Sequence, residues 1–265
     1  MKDSTPTSEP RVTTKDPKQH TTEIHVGEIS RHGLRTLPGW AIALVVVWVL
    51  QLVGFEQAMP AYPMQIVQYI GIYIILAVSL NLVNGFTGQF SMGHAGFMAV
   101  GGYVSAAFNI AVMSPEMMAD PIVGQAIFVG SLILGGLAAA FAGVLVGLPS
   151  LRLKGDYLAI VTLGFGEIIR VILLNTQSVG GARGLSGIPL LSSFGWVYSF
   201  VVITIFFVWR IMRTAHGRSF LSVREDEIAA EAMGVNTTKT KVRAFVLGAF
   251  FAGVAGGLFG HYLQY

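Results

Sequence analysis

The stretch 122-IVGQAIFVGSLILGGLAAAFAGVLVGL-148 contains no Asp, Glu, Lys, Arg or His. A helix that crosses the hydrocarbon core of a bilayer needs about 20 consecutive, mostly apolar residues, and this stretch is longer than that. We therefore predict a membrane-spanning helix here, and the fold class follows from how often such stretches recur.

Comparable apolar runs occur along most of the chain, at 39–55, 63–83, 91–113, 122–148, 156–174, 194–212 and 242–265. The first is short, and the third is rich in Gly and Ser. Charged residues make up only 12% of the chain, about half the share found in soluble domains. The pattern predicts an all-α, polytopic transmembrane helix bundle with about seven spans. The absence of Cys excludes disulfides and Cys-ligated metals.

The positions of Lys and Arg predict the orientation, because cytoplasmic flanks of membrane helices collect these residues. They cluster in the N-terminal segment, between spans at 148–156, and in 210–243, whereas the opposite loops contain only Arg183. We predict a cytoplasmic N-terminus. Residues 1–38 have no apolar run and are predicted to be a disordered tail, and residues 39–265 to form the transmembrane domain with a cytoplasmic loop at 213–241.

Glycine spacing indicates how the spans pack. Small residues four positions apart let helix backbones approach closely in lipid. The pairs with this spacing are Gly143 with Gly147, Gly253 with Gly257, and Gly256 with Gly260. They predict a tightly packed bundle.

The segment 222-SVREDEIAAEAMGVN-236 reads like a helix of a soluble protein. Ser222 and Glu225 have the spacing of a capping box, and Gly234 lies where a helix is expected to stop. Between them, helical spacing predicts an apolar face that contains Ile228, Ala229, Ala232 and Met233. The pattern predicts one amphipathic helix in the cytoplasmic loop.

Polar groups inside a membrane span are costly and are candidates for function. The second span ends in such groups and leads into the glycine-rich stretch 85-GFTGQFSMGHAGFMAVGGY-103, which predicts a broken or re-entrant backbone lining a cavity. The candidates are Asn81, Asn84, Gln89, Ser91 and His94. The alternative interpretation is that these side chains hydrogen-bond neighbouring helices and bind nothing.

Glu167 and Arg170 lie three residues apart and share one face of the fifth span. They form either an internal ion pair or a site for a zwitterionic substrate. The Gly- and Ser-rich connection 175–193 is either a contact for an extracellular partner or a flexible loop. No metal-binding, nucleotide-binding or catalytic motif was found, which predicts that the chain is not an enzyme.

Four stretches resemble the LivM-type permeases of ABC importers for branched-chain amino acids. They are 79-SLNLVNGFTGQFSMGHAGFMAVGGYVSA-106, 151-LRLKGDYLAIVTLGFGEIIR-170, 180-GGARGLSGIP-189 and 224-REDEIAAEAMGVN-236. The resemblance covers about residues 63–265 in the family's order. The resemblance implies an ABC importer permease fold. Because members of that family continue past the position of Tyr265 with one or more further spans, the transmembrane domain is expected to be C-terminally truncated relative to the family.

The resemblance also implies partners. These are a second homologous permease subunit, two ATP-binding subunits that hold ATP and Mg, and an extracytoplasmic substrate-binding protein; this chain is expected to bind no cofactor. The family's coupling helix, which docks on the ATPase subunit, falls on Arg224, Glu225, Asp226, Glu227, Ile228, Ala229, Ala230, Glu231, Ala232, Met233 and Gly234. A solvated linker helix is the alternative. The implied location is the cytoplasmic (inner) membrane of a bacterium or archaeon.

Three other functions stay open at this stage. A urea or short-chain amide importer would have a similar permease. An ion-coupled secondary transporter could use Glu167, Arg170 or His94, although no inverted repeat is visible. A membrane-embedded enzyme lacks a recognisable catalytic constellation.

Overall fold

The computed structural model of the chain describes residues 26–114, 117, 120–150 and 156–264. The chain divides into two compact units, Met1–Gly39 and Trp40–Tyr265. Ten α-helices are defined in the described residues: α1 (Val26–Leu52), α2 (Phe55–Ala58), α3 (Ala61–Asn84), α4 (His94–Val112), α5 (Pro121–Ser150), α6 (Asp156–Asn175), α7 (Phe194–Met212), α8 (Ala215–Glu225), α9 (Glu227–Ala232) and α10 (Thr237–Leu263). Two 3₁₀ turns, Gln177–Val179 and Gly181–Arg183, follow α6. Over the same ranges no residue is in a strand, which confirms the all-α prediction.

Six of these helices, α3, α4, α5, α6, α7 and α10, are long and apolar enough to cross a membrane. Each corresponds to one of the runs predicted from residue 63 onward. Where the sequence predicted another span at 39–55, the described chain has only the shorter apolar segment Gly39–Leu52 at the end of α1.

The beginning of α1 corrects part of one prediction. Residues 26–38, predicted to be disordered, lie in the first part of this helix. A polar segment can be helical there because extending an existing helix costs far less than starting one. Residues 1–25 lie outside the described residues.

Helix α10 is the central helix of the second unit. It packs against α3, α4 and α5. In its most apolar stretch of 18 residues, 67% of the residues are buried, whereas this share is at most 39% in the other spans. The contacts are backbone to backbone: a Cβ at Gly101 of α4 would lie 2.2 Å from Cα of Gly253, and one at Gly256 would lie 1.9 Å from O of Met98. The predicted role of small residues in packing is therefore confirmed at Gly253 and Gly256.

The other glycines with the predicted spacing differ in how closely a neighbouring helix approaches them. A Cβ at Gly143 would meet Cβ of Ala249 at 2.8 Å, and one at Gly257 would meet Cδ2 of Leu132 at 2.6 Å. At Gly260 the nearest atom would be 4.0 Å away, so this glycine is not required by packing.

A buried polar cluster joins α4, α5 and α10. The Nδ2 group of Asn109 donates to Oγ of Ser131 at 2.7 Å and lies 2.6 Å from Nε2 of His261. The Nδ1 atom of His261 lies 2.8 Å from O of Gly257. Donation from Nδ1 to that carbonyl leaves Nε2 as the acceptor for Asn109. The three spans are therefore joined by hydrogen bonds as well as by close packing.

Candidate transport site and docking helix

Two adjoining cavities lie along one face of α4 and share Ala95, Ala99 and Tyr103 in their linings. The first, which we call the apolar cavity, has a volume of about 260 Å³. Helix α10 contributes Phe259 to it. The turn segment after α6 contributes Leu185. Among the described residues that line this cavity, none is charged.

The second, which we call the charged cavity, has a volume of about 300 Å³ and lies between α4 and α6. It contains Glu167 and Arg170, whose Oε1 and Nη1 atoms are 2.6 Å apart. The ion pair considered from the sequence is therefore formed. Both side chains are more than half exposed on this chain, at 59% for Glu167 and 66% for Arg170, so the pair is accessible to a small molecule in the cavity.

The segment 175–193 is packed against the bundle rather than extended away from it. Glycines 180, 181, 184 and 187 have positive φ, which a glycine adopts without the cost other residues pay. Ile188 is buried, and the Ser192 hydroxyl donates to O of Leu258 at 2.8 Å. This segment therefore forms one wall of the apolar cavity.

The other five polar candidates lie at or near the segment 85–93, and none of them lines either cavity. The carbonyl of Asn81 accepts hydrogen bonds at the end of α3, and Oδ1 of Asn84 accepts from N of Ser91 at 3.2 Å. Gln89 is buried, with no hydrogen bond to either atom of its amide. Nε2 of His94 lies 2.9 Å from Oγ of Ser79 on α3.

The predicted broken backbone is confirmed at 85–93 and wrong beyond it, because 94–112 is one continuous helix. Glycines within that helix serve close packing instead. The sequence reasoning missed Ala95, Ala99 and Tyr103 as lining residues. Their spacing of four, which puts them on one helix face, was the available signal.

The helix predicted within 222–236 is present but begins later than expected. Asp226 caps α9, and its Oδ1 accepts from N of Ile228 at 2.8 Å and from N of Ala229 at 3.1 Å. Ser222 instead lies inside α8 and donates to O of Ser219, so the capping-box prediction is wrong. Residues Gly217, Phe220 and Val223 are buried, and this apolar stripe extends α8 past the proposed start.

The end of α9 is as predicted. Gly234 has φ of +84°, its N donates to O of Glu231 at 2.9 Å, and N of Val235 donates to O of Ala230 at 3.0 Å. This pair of hydrogen bonds is the Schellman motif that closes a helix at a glycine.

Helix α9 presents an apolar face that the described chain does not cover. Ile228 is 72% exposed and Met233 is 84% exposed; Ala229 and Ala232 between them are also exposed. On the opposite side Ala230 is buried. A helix that is packed on one face and exposes apolar side chains on the other suits a small interface with another protein.

These features define the chain as a multi-pass α-helical membrane protein with a short helix outside the spans that exposes an apolar face. Residues 62–265 match the sequence model of the family described as "Branched-chain amino acid transport system / permease component", and the chain belongs to that family. The resemblance to LivM-type permeases is therefore confirmed.

Several curated relatives support the assignment. The chain is 39% identical over 223 residues to the high-affinity branched-chain amino acid transport system permease protein LivM of Salmonella typhimurium, covering 71% of this chain and 50% of the relative. For the protein of the same name in Escherichia coli K12 the identity is 38% over the same shares. A probable branched-chain amino acid transport permease protein LivM of Methanocaldococcus jannaschii is 29% identical, covering 74% of this chain and 66% of the relative.

The chain spans about half the length of the two bacterial relatives. No solved structure matches it.

Proposed function

We propose that this chain is a permease subunit of an ABC importer that moves branched-chain amino acids across the cytoplasmic (inner) membrane. The observation that carries the proposal is the exposed apolar face of α9, held beside a bundle of membrane-spanning helices. An importer driven by separate ATP-binding subunits requires such a face for docking. A helix that rests on the membrane surface favours Lys and Arg on its polar face, whereas α9 carries Glu227 and Glu231. The names of the bacterial relatives supply the substrate class.

The proposed assembly contains this chain, a second homologous permease subunit, two ATP-binding subunits and an extracytoplasmic binding protein. The ATP-binding subunits would hold ATP and Mg, and this chain would contribute no group to hydrolysis. Helix α9 lies on the cytoplasmic side in this proposal, because Lys and Arg concentrate at 210–243 and are nearly absent from the opposite connections. The proposed cytoplasmic N-terminus requires in addition that the shorter segment Gly39–Leu52 crosses the membrane.

The two cavities along α4 support the proposed substrate. Glu167 and Arg170 offer one charge of each sign, which suits the ammonium and carboxylate groups of an amino acid. The adjoining apolar cavity offers a place for an aliphatic side chain. Urea or a short amide has no side chain to fill about 260 Å³ of apolar space, so the cavities favour a branched-chain amino acid over the urea alternative.

The proposal is tested by co-purification of the tagged chain from membranes with its ATP-binding subunits. We expect the native chain to retain them and Ile228→Asp to lose most of them, because a charge would replace an exposed apolar anchor. Thr238→Asp, at an exposed position in the first turn of α10, is the matched control and should retain them. Equal recovery from all three chains would contradict docking at α9.

A further inference from the structure

The segment 85–93, which we call the bridge segment, contacts the end of α8 immediately before α9. The Nη1 group of Arg224 donates to O of Gly85 at 3.3 Å. A Cβ at Gly88 would lie 2.9 Å from Cγ of Arg224 and 3.4 Å from its Cα. The two backbones approach this closely because Gly88 has no side chain.

The other end of the bridge segment contacts α6 and leads directly into α4. N of Met92 donates to Oγ1 of Thr162 at 3.1 Å, and a Cβ at Gly93 would lie 2.6 Å from O of Thr162. Helix α4 begins at the next residue, His94. The bridge segment therefore touches both helices that form the charged cavity.

Between its ends the bridge segment is short and bonded to its own surroundings. The Thr87 hydroxyl donates to O of Val83 at 2.6 Å, and N of Gln89 donates to the same carbonyl at 3.1 Å. The side chains of Thr87, Gln89 and Ser91 are buried. These hydrogen bonds and this burial hold the middle of the segment to the end of α3, which suits a segment that carries a displacement from one end to the other.

We propose that the bridge segment transmits movement of α8 and α9 to α4 and α6, and that the contact between Gly88 and Arg224 sets its position. Gly88 is thus a positioning residue for transport that touches neither the cavities nor the docking face. The inference rests on the proposed function, because the movement originates at the ATP-binding subunits docked on α9.

Both the backbone conformation at position 88 and the close contact with Arg224 favour glycine there. Its φ is +67°, a value that L side chains rarely adopt. Gly54 shares this property, with φ of +81°, but the nearest described atom to a Cβ there would be Oε1 of Gln57 at 3.4 Å, an ordinary van der Waals distance. Gly54→Ala is therefore the matched control: it introduces the same kind of backbone strain without a clash, outside both cavity linings and α9.

The test measures amino acid transported per ATP hydrolysed by the reconstituted complex, together with recovery of the ATP-binding subunits. We expect Gly88→Ala to retain the subunits and to lower the transport ratio by about fivefold or more, the lower range of typical coupling between sites. Gly54→Ala should keep the native ratio. In an Arg224→Ala background, Gly88→Ala should have a smaller effect, because Cγ of Arg224 is absent.

The outcomes separate the two proposals. A native ratio for Gly88→Ala with the subunits retained would overturn the role of the bridge segment and leave the proposed function standing. An equal loss of ratio in the native and Arg224→Ala backgrounds would also overturn it, since the effect would then be backbone strain alone. If the native chain recovers no ATP-binding subunits, both proposals fail.

A disulfide across the same contact is a second test. A Cβ at Gly88 would lie 3.5 Å from Cβ of Arg224, within the range for a disulfide, and the chain has no Cys of its own. Gly88→Cys with Arg224→Cys, oxidised with copper–phenanthroline, should cross-link both with and without ATP and should keep the transport ratio of its reduced form. Loss of transport on cross-linking would show that the two segments must separate, which contradicts the proposal.

Discussion

Lys241 in α10 donates a hydrogen bond to Oε1 of Glu227, the first residue of α9, at 2.7 Å. The Lys241 side chain is only 8% exposed and that of Glu227 is 27% exposed. The Thr237 hydroxyl adds a second connection, donating to Oε1 of Glu231 at 2.6 Å. Helix α9 is therefore fixed to the first turns of the central helix, while α8, which precedes it, contacts the bridge segment through Arg224.

Removing the charge of Glu227 should loosen α9. Glu227→Gln would leave the buried ammonium of Lys241 without its counter-charge, and we expect local opening of α9 to become easier by about 1–2 kcal/mol, below the cost for a fully buried pair. Hydrogen exchange of the amides of 228–233 measures this. Glu225→Gln, in an exposed pair with Arg224, is the control and should change exchange by less than about 1 kcal/mol. Equal exchange in both variants would show that the Lys241 contact does not hold α9.

The contact between α10 and α4 should tolerate no side chain at Gly256. A Cβ there would lie 1.9 Å from O of Met98, whereas four residues later, at Gly260, the nearest atom would be 4.0 Å away. We expect Gly256→Ala to lower stability by about 1–3 kcal/mol, as overpacking does. Gly260→Ala should be neutral. Thermal unfolding in detergent compares the two, and similar melting temperatures would mean that the helices are less closely packed than described.

Amino acid uptake should depend on which of the positions 167 and 170 carries the negative charge, and not only on the presence of an ion pair. Exchanging the two residues, Glu167→Arg with Arg170→Glu, preserves an ion pair three residues apart on one helix face. We expect the exchanged chain to accumulate normally but to lose most of its amino acid uptake, because each charge has moved to the other side of the cavity. Uptake assays at matched expression measure this, and native uptake by the exchanged chain would assign the pair to structure alone.

The buried cluster at Asn109 should contribute modestly to stability. Asn109→Ala leaves Nε2 of His261 without a donor, and hydrogen bonds between membrane helices are worth on average about 0.6 kcal/mol and at most about 1.7 kcal/mol. We expect a loss within or slightly above this range from denaturant unfolding. Asn175→Ala is the control, because Asn175 is exposed and bonds only within its own helix. A loss no greater than that of the control would show that the cluster adds nothing to the packing.

The spans were the predictable part of this fold, because span length and apolarity are local properties of the sequence. The run predicted at 194–212 coincides with α7. The run predicted at 242–265 begins five residues late, since α10 starts at Thr237 under an Asn236 cap whose Oδ1 accepts from N of Lys239. Polar residues such as Lys239 extend a helix beyond the membrane without contributing to the apolar signal.

The start of α9 could not be fixed from spacing alone. The spacing of Ser222 and Glu225 predicted the cap there, whereas the structure places it at Asp226. Burial of Phe220 and Val223 against the bundle decides between them, because it keeps Ser222 inside α8. That burial depends on tertiary contacts, which no local pattern contains.

The cavities were the least predictable feature. Glu167 and Arg170 stood out as charges in an apolar span, and the structure places both in a cavity lining. Tyr103 and Leu185 did not stand out, because each is an ordinary residue in its own segment. They become lining residues only when the turn segment after α6 folds back over α4.

The absence of side chains between Gly101 and Gly253 has a mechanical consequence. Helices α4 and α10 meet again at Met98 and Gly256, so their backbones share a line of contact rather than a single pivot. Two helices in contact at successive points resist tilting against each other, and we expect α4 and α10 to move as one body. A displacement of the Thr237 end of α10 would then carry α4 with it, and with α4 the residues Ala99 and Tyr103 in the walls of both cavities.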